Sequence, residues 1–443
     1  MIPKTGYAIL LMYMPVLSED ISMEVVRYIN YIIGLLFVIC FAYQLFYIAV
    51  PWFKKGKENP NPKLHRFGVL IAARNESNVI DQLVGSIMDQ NYPKELVTVF
   101  VVADNCTDNT AEVARNAGAV VYERFNREQV GKGYALDYLL SRIGEDYGPV
   151  FDGFLVFDAD NILDPNYIAE MNRVVDLGYE IITSYRNSKN YGDNWISAGY
   201  ALWYLRESRY LNHSRMLMNT SCAISGTGFY VSRQVFERDG GWKYYLLTED
   251  IEFTIDHVLQ GYKIGFAEKA VLYDEQPVKF SQSWIQRLRW SKGFLQVWAH
   301  YGGKLVRNIF SKNFTSAYDM TMTIFPALFL TLACVLVNLG AEIVGLIIGV
   351  EPSLLFRCLF ECIRNSYMVL FVIGLITTIT EWKRIYCSPV RKILYTFTFP
   401  LFMLTYVPIS VVALFKKVQW KPIAHTSAKK DFLSSVKPKD DPS

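Results

Sequence analysis

No Cys-x-x-Cys pair occurs among the seven cysteines, and four of them (Cys40, Cys334, Cys358, Cys362) sit in apolar stretches. That scatter excludes a disulfide framework and a zinc site and reads as core or lipid-facing positions. Charge of one sign is also scarce. Lys and Arg number 45 against 42 Asp and Glu, a net of +3, and the basic residues gather beside apolar segments. A nucleic-acid binder would carry a basic stripe on its folded domain, so that class is excluded. The Gly-x-x-x-x-Gly-Lys-Ser/Thr spacing of a Walker phosphate loop is missing as well. The longest gap is local: Tyr28 to Val50 holds no charged residue over 23 positions. As a helix this run is about 34 Å long, enough to cross a bilayer.

What is present fits that gap. Apolar residues make up 51% of the chain and mean hydropathy is +0.15, high for a purely soluble protein. Lys54, Lys55, Lys57, Lys63 and Arg66 follow the uncharged run at once, which marks that end as cytoplasmic. Residues 7–17 form a shorter apolar stretch, a signal-like or interfacial piece. A chain of 443 residues exceeds one ordinary domain. The expected layout is a membrane segment over 1–52, a cytoplasmic α/β domain over 53–280 and amphipathic interfacial helices over 281–318. A transmembrane or re-entrant region over 319–415 and a basic cytoplasmic tail over 416–443 complete it.

Within the middle domain, short apolar runs alternate with helical patterns. Strands are expected at Phe67–Ala72, Val97–Ala103, Val120–Tyr122 and Phe154–Phe157, and helices at Val79–Met88, Thr107–Ala117 and Gly133–Ile143. This alternation predicts a doubly wound sheet with helices on both faces. Ser281–His300 mixes Trp284, Leu288, Phe294 and Trp298 with Arg and Lys, as a helix at a membrane surface does. Met320–Gly340 is long enough to span, and Asn365–Thr380 anchors a second span. Ile393–Phe415 is also long enough, but Lys416, Lys417, Lys421, Lys429 and Lys430 follow it. A simple crossing would place that basic tail outside, and Pro400 and Pro408 interrupt the segment, so a re-entrant or interfacial hairpin is expected.

The chemistry gathers at strand ends. Phe154–Phe157 runs into Asp158-Ala159-Asp160, two carboxylates at the carboxyl edge where open α/β sheets bind ligands. They suit a divalent cation that shares its shell with substrate phosphates; a polar loop is the plain alternative. The first strand ends at Ala73-Arg74-Asn75-Glu76 and the second at Asp104-Asn105-Cys106-Thr107-Asp108. Each turn alone is explained by helix capping. Lys132, between Gly131 and Gly133 at a helix start, could meet a diphosphate. Thr248-Glu249-Asp250 opens another helix, either as a cap or as a carboxylate pair that takes a proton from an acceptor hydroxyl. Gln286-x-x-Arg289-Trp290 reads either as a snorkelling interfacial helix or as a sugar-stacking tryptophan beside diphosphate and hydroxyl ligands.

The ordered set Asp104, Lys132, Asp158-x-Asp160, Thr248-Glu249-Asp250 and Gln286-x-x-Arg289-Trp290, with apolar spans at both ends, resembles the membrane-integrated family 2 glycosyltransferases. That group contains cellulose, chitin and hyaluronan synthases, and the resemblance covers about residues 28–300. It implies a GT-A (Rossmann-like) domain inserted between transmembrane helices in a multi-pass protein of the cell membrane. It also implies an inverting, metal-dependent transfer from a UDP-sugar. Asp104 would contact uracil, Ala73 and Glu76 would line the nucleotide, and Lys132 would touch the diphosphate. Asp160, aided by Asp158, would hold Mg²⁺ or Mn²⁺. Asp250, with Glu249 beside it, would be the base, and Gln286, Arg289 and Trp290 would bind donor and acceptor. Gly226 and Thr227 would lie beside the acceptor, although cellulose synthases commonly have Cys where Thr227 stands. No appended regulatory nucleotide-binding domain is expected after Phe415.

Three functions follow in order of expectation. The first is a processive synthase extending a β-linked polysaccharide, with an export partner or a second copy completing the passage. The second transfers one sugar to a membrane lipid. The third, a non-enzymatic nucleotide sensor, sits poorly with an intact acidic set.

Overall fold

A computed structural model describes residues 19–57, 59–419 and 432; the 7–17 stretch and the tail lysines Lys421, Lys429 and Lys430 lie outside the described residues. Helices α1 (Glu19–Phe41) and α2 (Tyr43–Phe53) lead into β1 (Phe67–Ala73), α3 (Ile80–Met88), β2 (Val97–Asp104) and α4 (Thr110–Asn116). Then come β3 (Val120–Arg124), α5 (Lys132–Tyr147) and β4 (Gly153–Asp158). These four strands pair in parallel in the order β3-β2-β1-β4. Their near-continuous apolar character reflects burial on both faces. Alternate residues serve opposite cores. Leu70, Phe100, Phe154 and Val156 meet Leu136 and Leu139 of α5 on one side. Val69, Ile71, Val101, Leu155 and Phe157 meet Leu83, Val84 and Ile87 of α3 on the other.

The second half of the sheet departs from a uniform parallel winding. After β5 (Ile162–Leu163) and α6 (Tyr167–Val175) come β6 (Ile181–Ser188), α7 (Trp195–Arg206) and, past a π-turn at Glu207–Asn212, α8 (His213–Leu217). Then follow β7 (Phe229–Ser232), α9 (Arg233–Asp239), α10 (Glu249–Leu259) and β8 (Ile264–Asp274). The full order is β3-β2-β1-β4-β7-β6-β8-β5, with β7 antiparallel to both neighbours and β5 antiparallel to β8. Four residues of β7 are too few for a readable period, which is why the sheet looks purely parallel in sequence. Because β7 reverses twice, β6 and β8 again run with β4, and their carboxyl ends reach the same edge.

The apolar part begins with α11 (Phe280–Ile309), followed by α12 (Phe314–Ile324), α13 (Pro326–Ile348), α14 (Pro352–Thr380), α15 (Pro389–Leu404) and α16 (Tyr406–Phe415). Among the described residues four segments are long and apolar enough to cross a membrane: Glu24–Phe53, Phe314–Ile347, Leu359–Thr380 and Pro389–Phe415. Asn30 and Asn338 exchange amide hydrogen bonds of 3.0 Å between the first two. A buried cluster ties them to the sheet domain. Arg215 donates to both oxygens of Asp319 at 2.9 and 2.7 Å, and the Tyr43 and Tyr47 hydroxyls each donate to Asp319 at 2.9 Å.

Of the two prolines expected to break the last segment, Pro400 does not. Pro400 lies inside a helix, whereas Pro408 falls in the first turn of the next one, and the interruption at Thr405 lies in the turn whose bond to Leu404 Pro408 cannot donate. There Arg287 of α11 donates to the Phe402 carbonyl at 3.1 Å and to Thr405 Oγ1 at 2.5 Å. Leu288 of α11 packs on Ile409 and Ala413 of α16. Phe402 fills the space over Gly199 of α7, where a Cβ would come within 2.3 Å of its ring. Phe432 returns to the sheet domain, packing on Tyr273 and Tyr386 at ring distances of 5.0 and 6.0 Å.

Candidate active site

The carboxyl ends of β1, β2 and β4 form a shelf. Register sets Ala73 opposite Ala103 and Ala72 opposite Asp158. One strand separates Asp104 from Asp158, about 10 Å at ordinary strand spacing, the room a nucleoside needs between base and diphosphate. The turns after β1 and β2 interlock. Asn75 (φ 58°) and Asn105 (φ 53°) both adopt the left-handed conformation that Asn tolerates. Asn75 Oδ1 accepts from Thr107 N at 2.8 Å, and Glu76 N donates to Thr110 Oγ1 at 2.9 Å. Ala73 and Glu76 thus belong to one braced wall with the 106–110 turn.

Asp104 is almost fully buried and salt-bridged by Arg124 at 2.6 Å. Asn105 Nδ2 donates to the same oxygen, Oδ1, at 3.1 Å, and Oδ2 has no hydrogen-bond partner among the described residues. Arg124 carries no signal in sequence, because the apolar run of the third strand ends at Tyr122, two residues before it. In the parallel register Arg124 lies opposite Asp104, so two more strand residues would have exposed the pair.

Lys132 opens α5 and reaches across the shelf. Its Nζ donates to Asp158 Oδ1 at 2.5 Å and to the Gly226 carbonyl at 2.6 Å. Gly226 (φ 79°) lies under Asp250, since a Cβ there would stand 3.7 Å from Asp250 Oδ2. Four of the sequence-selected residues, Lys132, Asp158, Gly226 and Asp250, are thereby brought together. Thr227 sits differently from the acceptor role expected of it. It is buried, its Oγ1 accepts from Asp158 N at 2.9 Å and donates to Asn161 Oδ1 at 2.5 Å. It braces the Asp158–Asp160 turn from beneath.

Asp160 is buried beside the end of β8, where Glu275 N donates to its Oδ2 at 2.9 Å. Lys189 donates to its carbonyl at 2.8 Å. Arg186 spans from Asp274 Oδ2 (2.6 Å) to the Ser225 carbonyl (2.7 Å), anchoring the Gly226 turn to β8. Arg186, Lys189 and Asp274 carry no sequence signal, because pairing between strands distant in sequence aligns them. Among the described residues no group of three His, Cys, Asp or Glu side chains is placed to cage a metal. Two carboxylates on one turn, one half-exposed, fit Mg²⁺ or Mn²⁺ nonetheless, since such ions keep waters and take substrate phosphates as further ligands.

Glu249 and Asp250 form the first turn of α10. Burial pushes the Glu249 carboxyl up to about 7, with the Asp250 charge adding to it, and Lys132 and Arg289 opposing. Burial raises Asp250 as well, against the hydrogen bond from Ile251 N and the charges of Arg289 and Lys132. A carboxylate poised near neutrality is suited to taking a proton.

On α11, Gln286, Arg289, Trp290 and Gly293 share a face by their spacing of three and four. Gly293 allows a close approach to Thr248, and Arg289 donates to the Leu247 carbonyl at 3.0 Å. Gln286 Oε1 is buried without a hydrogen-bond partner among the described residues, as an atom reserved for a ligand donor would be. Trp290 stands edge-on to Tyr200 at 5.7 Å and packs with the cluster containing Phe402. Its ring therefore holds α11 to α7 as well as bordering the site.

The family described as "Glycosyltransferase like family 2" matches residues 65–293. The beta-monoglucosyldiacylglycerol synthase of Nostoc sp. (strain PCC 7120) is 25% identical over 261 residues, 57% of this chain and 54% of that protein. The poly-beta-1,6-N-acetyl-D-glucosamine synthase of Staphylococcus aureus (strain MSSA476) is 25% identical over 263 residues, 58% and 59% of the two chains. The chain thus spans between a half and two thirds of these relatives. In fold, the mannosyltransferase PcManGT from Pyrobaculum calidifontis, solved with GDP-Man and Mn²⁺, aligns with a TM-score of 0.56 at 18% identity, covering 87% of this chain and 99% of that one. The mixed sheet with flanking helices is the GT-A fold.

Proposed function

The chain belongs to the glycosyltransferase-like family 2, and from that premise we propose that this sugar-transferring enzyme moves one sugar from a UDP-sugar to the hydroxyl of a membrane lipid, with inversion. Asp104 Oδ2 accepts the base N–H, the Ala73–Glu76 turn lines the nucleoside, and Lys132 binds the diphosphate. Asp158 and Asp160 would hold Mg²⁺ or Mn²⁺, which supplies charge neutralisation at the leaving diphosphate. Asp250, sharing charge with Glu249, takes the proton of the acceptor hydroxyl. The hydroxyl oxygen bonds to the anomeric carbon from the face opposite the diphosphate, which leaves with the bonding electron pair. Gln286 Oε1 receives a hydrogen bond from a sugar or acceptor hydroxyl.

The observation that carries the lipid reading is the packing of the apolar segments. Glu24–Phe53 and Leu359–Thr380 each bury only 6% of their most apolar window, which leaves their apolar surface open to lipid and supports a chain that does not by itself enclose a passage. Pro389–Phe415 starts beside Tyr386, and the chain beyond it returns through Phe432 to Tyr386 and Tyr273. Both flanks therefore lie on the side of the sheet domain, which supports a helix bent at Thr405 along α11 in place of a crossing. With the Lys54–Lys57 flank inside, the sheet domain is cytoplasmic and three segments cross the cell membrane. The polymer reading keeps one favouring observation, the similarity to a poly-N-acetylglucosamine synthase; it requires a partner or a second copy to build the passage.

Membranes incubated with labelled UDP-sugars test both. A single chloroform-soluble product supports lipid transfer, and a ladder of polymers overturns it. Asp250→Asn should abolish transfer while UDP binding persists; loss of UDP binding would refute the base assignment.

A further inference from the structure

A cavity of about 830 Å³ opens far from the acidic shelf. Gly178–Glu180 lead into β6 and Gln260–Lys263 lead into β8, so the cavity lies at the amino ends of two strands whose carboxyl ends reach the shelf. It is therefore on the opposite edge of the sheet and independent of donor and acceptor. Among the described residues four cations line it, Lys55, Lys57, Arg238 and Lys263, against one carboxylate, Glu180, which Arg238 meets at 3.4 Å.

Two features fix its depth relative to a bilayer. Lys55 and Lys57 follow within four residues of Phe53, the end of the first apolar segment, and Trp52 and Phe53 are exposed. Lys263 donates to Ser316 Oγ at 3.2 Å, two residues into the second apolar segment, whose first residue Phe314 is also exposed. Cations of the cavity thus sit at the ends of two spans, at the level of lipid headgroups. Met216 and Leu217 give the cavity an apolar wall beside those cations. Partial burial lowers the Lys263 pKa.

We propose that this cavity binds the headgroup of one anionic phospholipid, whose phosphate and second charged or hydroxylated group meet Lys55, Lys57 and Lys263 while its glycerol end rests on Met216 and Leu217. A basic pocket between the ends of membrane helices is suited to such headgroups.

Native mass spectrometry of the full chain in detergent tests this with phosphatidylglycerol and phosphatidylcholine as probes. The expected result is one phosphatidylglycerol retained at least fivefold over phosphatidylcholine. Lys55→Gln with Lys57→Gln, and separately Lys263→Met, should each bring the ratio towards one. The Lys55/Lys57 pair is exposed, so it serves where Lys263→Met disturbs folding. Equal retention of both lipids, or an unchanged ratio in the Lys55/Lys57 variant, overturns the proposal. Displacement by millimolar glycerol 3-phosphate as complete as by lipid overturns it too, assigning the site to a free phosphoester.

Discussion

Lys132 Nζ stands 2.5 Å from Asp158 Oδ1 while also donating to the Gly226 carbonyl at 2.6 Å. One ammonium thereby links the first carboxylate of the shelf to the turn beneath Asp250. It also sits where a diphosphate would arrive, so its charge is shared between substrate and scaffold.

Replacing it should damage both. Lys132→Met is expected to weaken UDP binding about tenfold to a hundredfold, the loss of one or two charge-assisted hydrogen bonds. Transfer should fall further than binding, because Gly226 and Asp158 lose their common anchor. Isothermal titration with UDP alongside a transfer assay separates the two. Unchanged UDP affinity would assign Lys132 to the scaffold alone.

Thr227 gives a test of the metal assignment that avoids touching a ligand. Its hydroxyl braces Asp158 N and Asn161. Chelation is expected to abolish transfer, with Mn²⁺ or Mg²⁺ restoring it. Thr227→Val should raise the cation concentration for half-maximal activity about tenfold, the cost of one or two buried hydrogen bonds, while Thr227→Ser stays near wild type. An equal cation requirement in all three proteins would separate this turn from metal binding.

The parts of this site that sequence exposes are those carried by short contiguous motifs. Asp158-Ala159-Asp160, Lys132 and Glu249-Asp250 announce themselves because each sits at an element boundary whose apolar run is readable. Arg124, Arg186 and Asp274 do not, because their roles come from register between strands distant in sequence. Arg186 reaches Asp274 only since β6 and β8 lie side by side, and a bulge at Ser184/Tyr185 shifts that register. Thr227 shows a related limit. Its neighbourhood in sequence pointed to the acceptor, but Gly228, lying against Leu272 and Ser184, turns the hydroxyl down into the sheet. Pro400 in the last segment misleads for a different reason. Pro400 is accommodated inside a helix packed on α7, and tertiary contacts there outweigh its local cost.

The Glu249–Asp250 pair predicts a pH-dependent stability. Glu249 ordinarily titrates near 4.5 and is pushed up to about 7 by burial and by Asp250. Between those values the folded chain keeps a proton that the unfolded chain has lost, so stability falls as pH rises through the window. Above 7 the full cost of the buried charge is present. Glu249→Gln mimics the protonated form and is expected to raise Tm at pH 8 by several degrees, with little gain at pH 4.5. Equal Tm shifts at the two pH values would sink the assignment. Wild-type transfer should correspondingly rise between pH 6 and 8 as the pair loses its proton.

Arg215 and Asp319 join the sheet domain to the second apolar segment, both fully buried. Removing one partner leaves an uncompensated charge among Tyr43 and Tyr47. Asp319→Ala is expected to destabilise by about 3–5 kcal/mol. The double change Arg215→Met with Asp319→Leu should recover much of that loss, since no buried charge remains. Thermal unfolding of the purified chain in detergent measures both. A double variant as unstable as Asp319→Ala would show that the bonds themselves, and not the stranded charge, hold the junction.

Gly293 tests whether α11 positions the proposed base. A Cβ at this position would lie 2.5 Å from Thr248 Oγ1 and Cγ2, a distance that forces the helix away from the turn that begins α10. The Arg289 bond to the Leu247 carbonyl (3.0 Å) and the Leu247 N bond to Gln296 Oε1 (3.3 Å) would stretch with it. Alanine favours a helix over glycine by about 1 kcal/mol, so any loss in Gly293→Ala comes from the displaced contact and not from helix propensity. A shift of a few tenths of an ångström at Asp250 is expected to lower kcat about tenfold or more, since misplacing a reacting group by 1 Å can cost about a hundredfold. The donor KM should change less than about threefold, because Asp104, Lys132 and Asp158 are built on β2, α5 and β4, which α11 does not carry. A KM that rises as much as kcat falls would mean that this face of α11 serves the donor nucleotide and leaves Asp250 to be placed by its own helix.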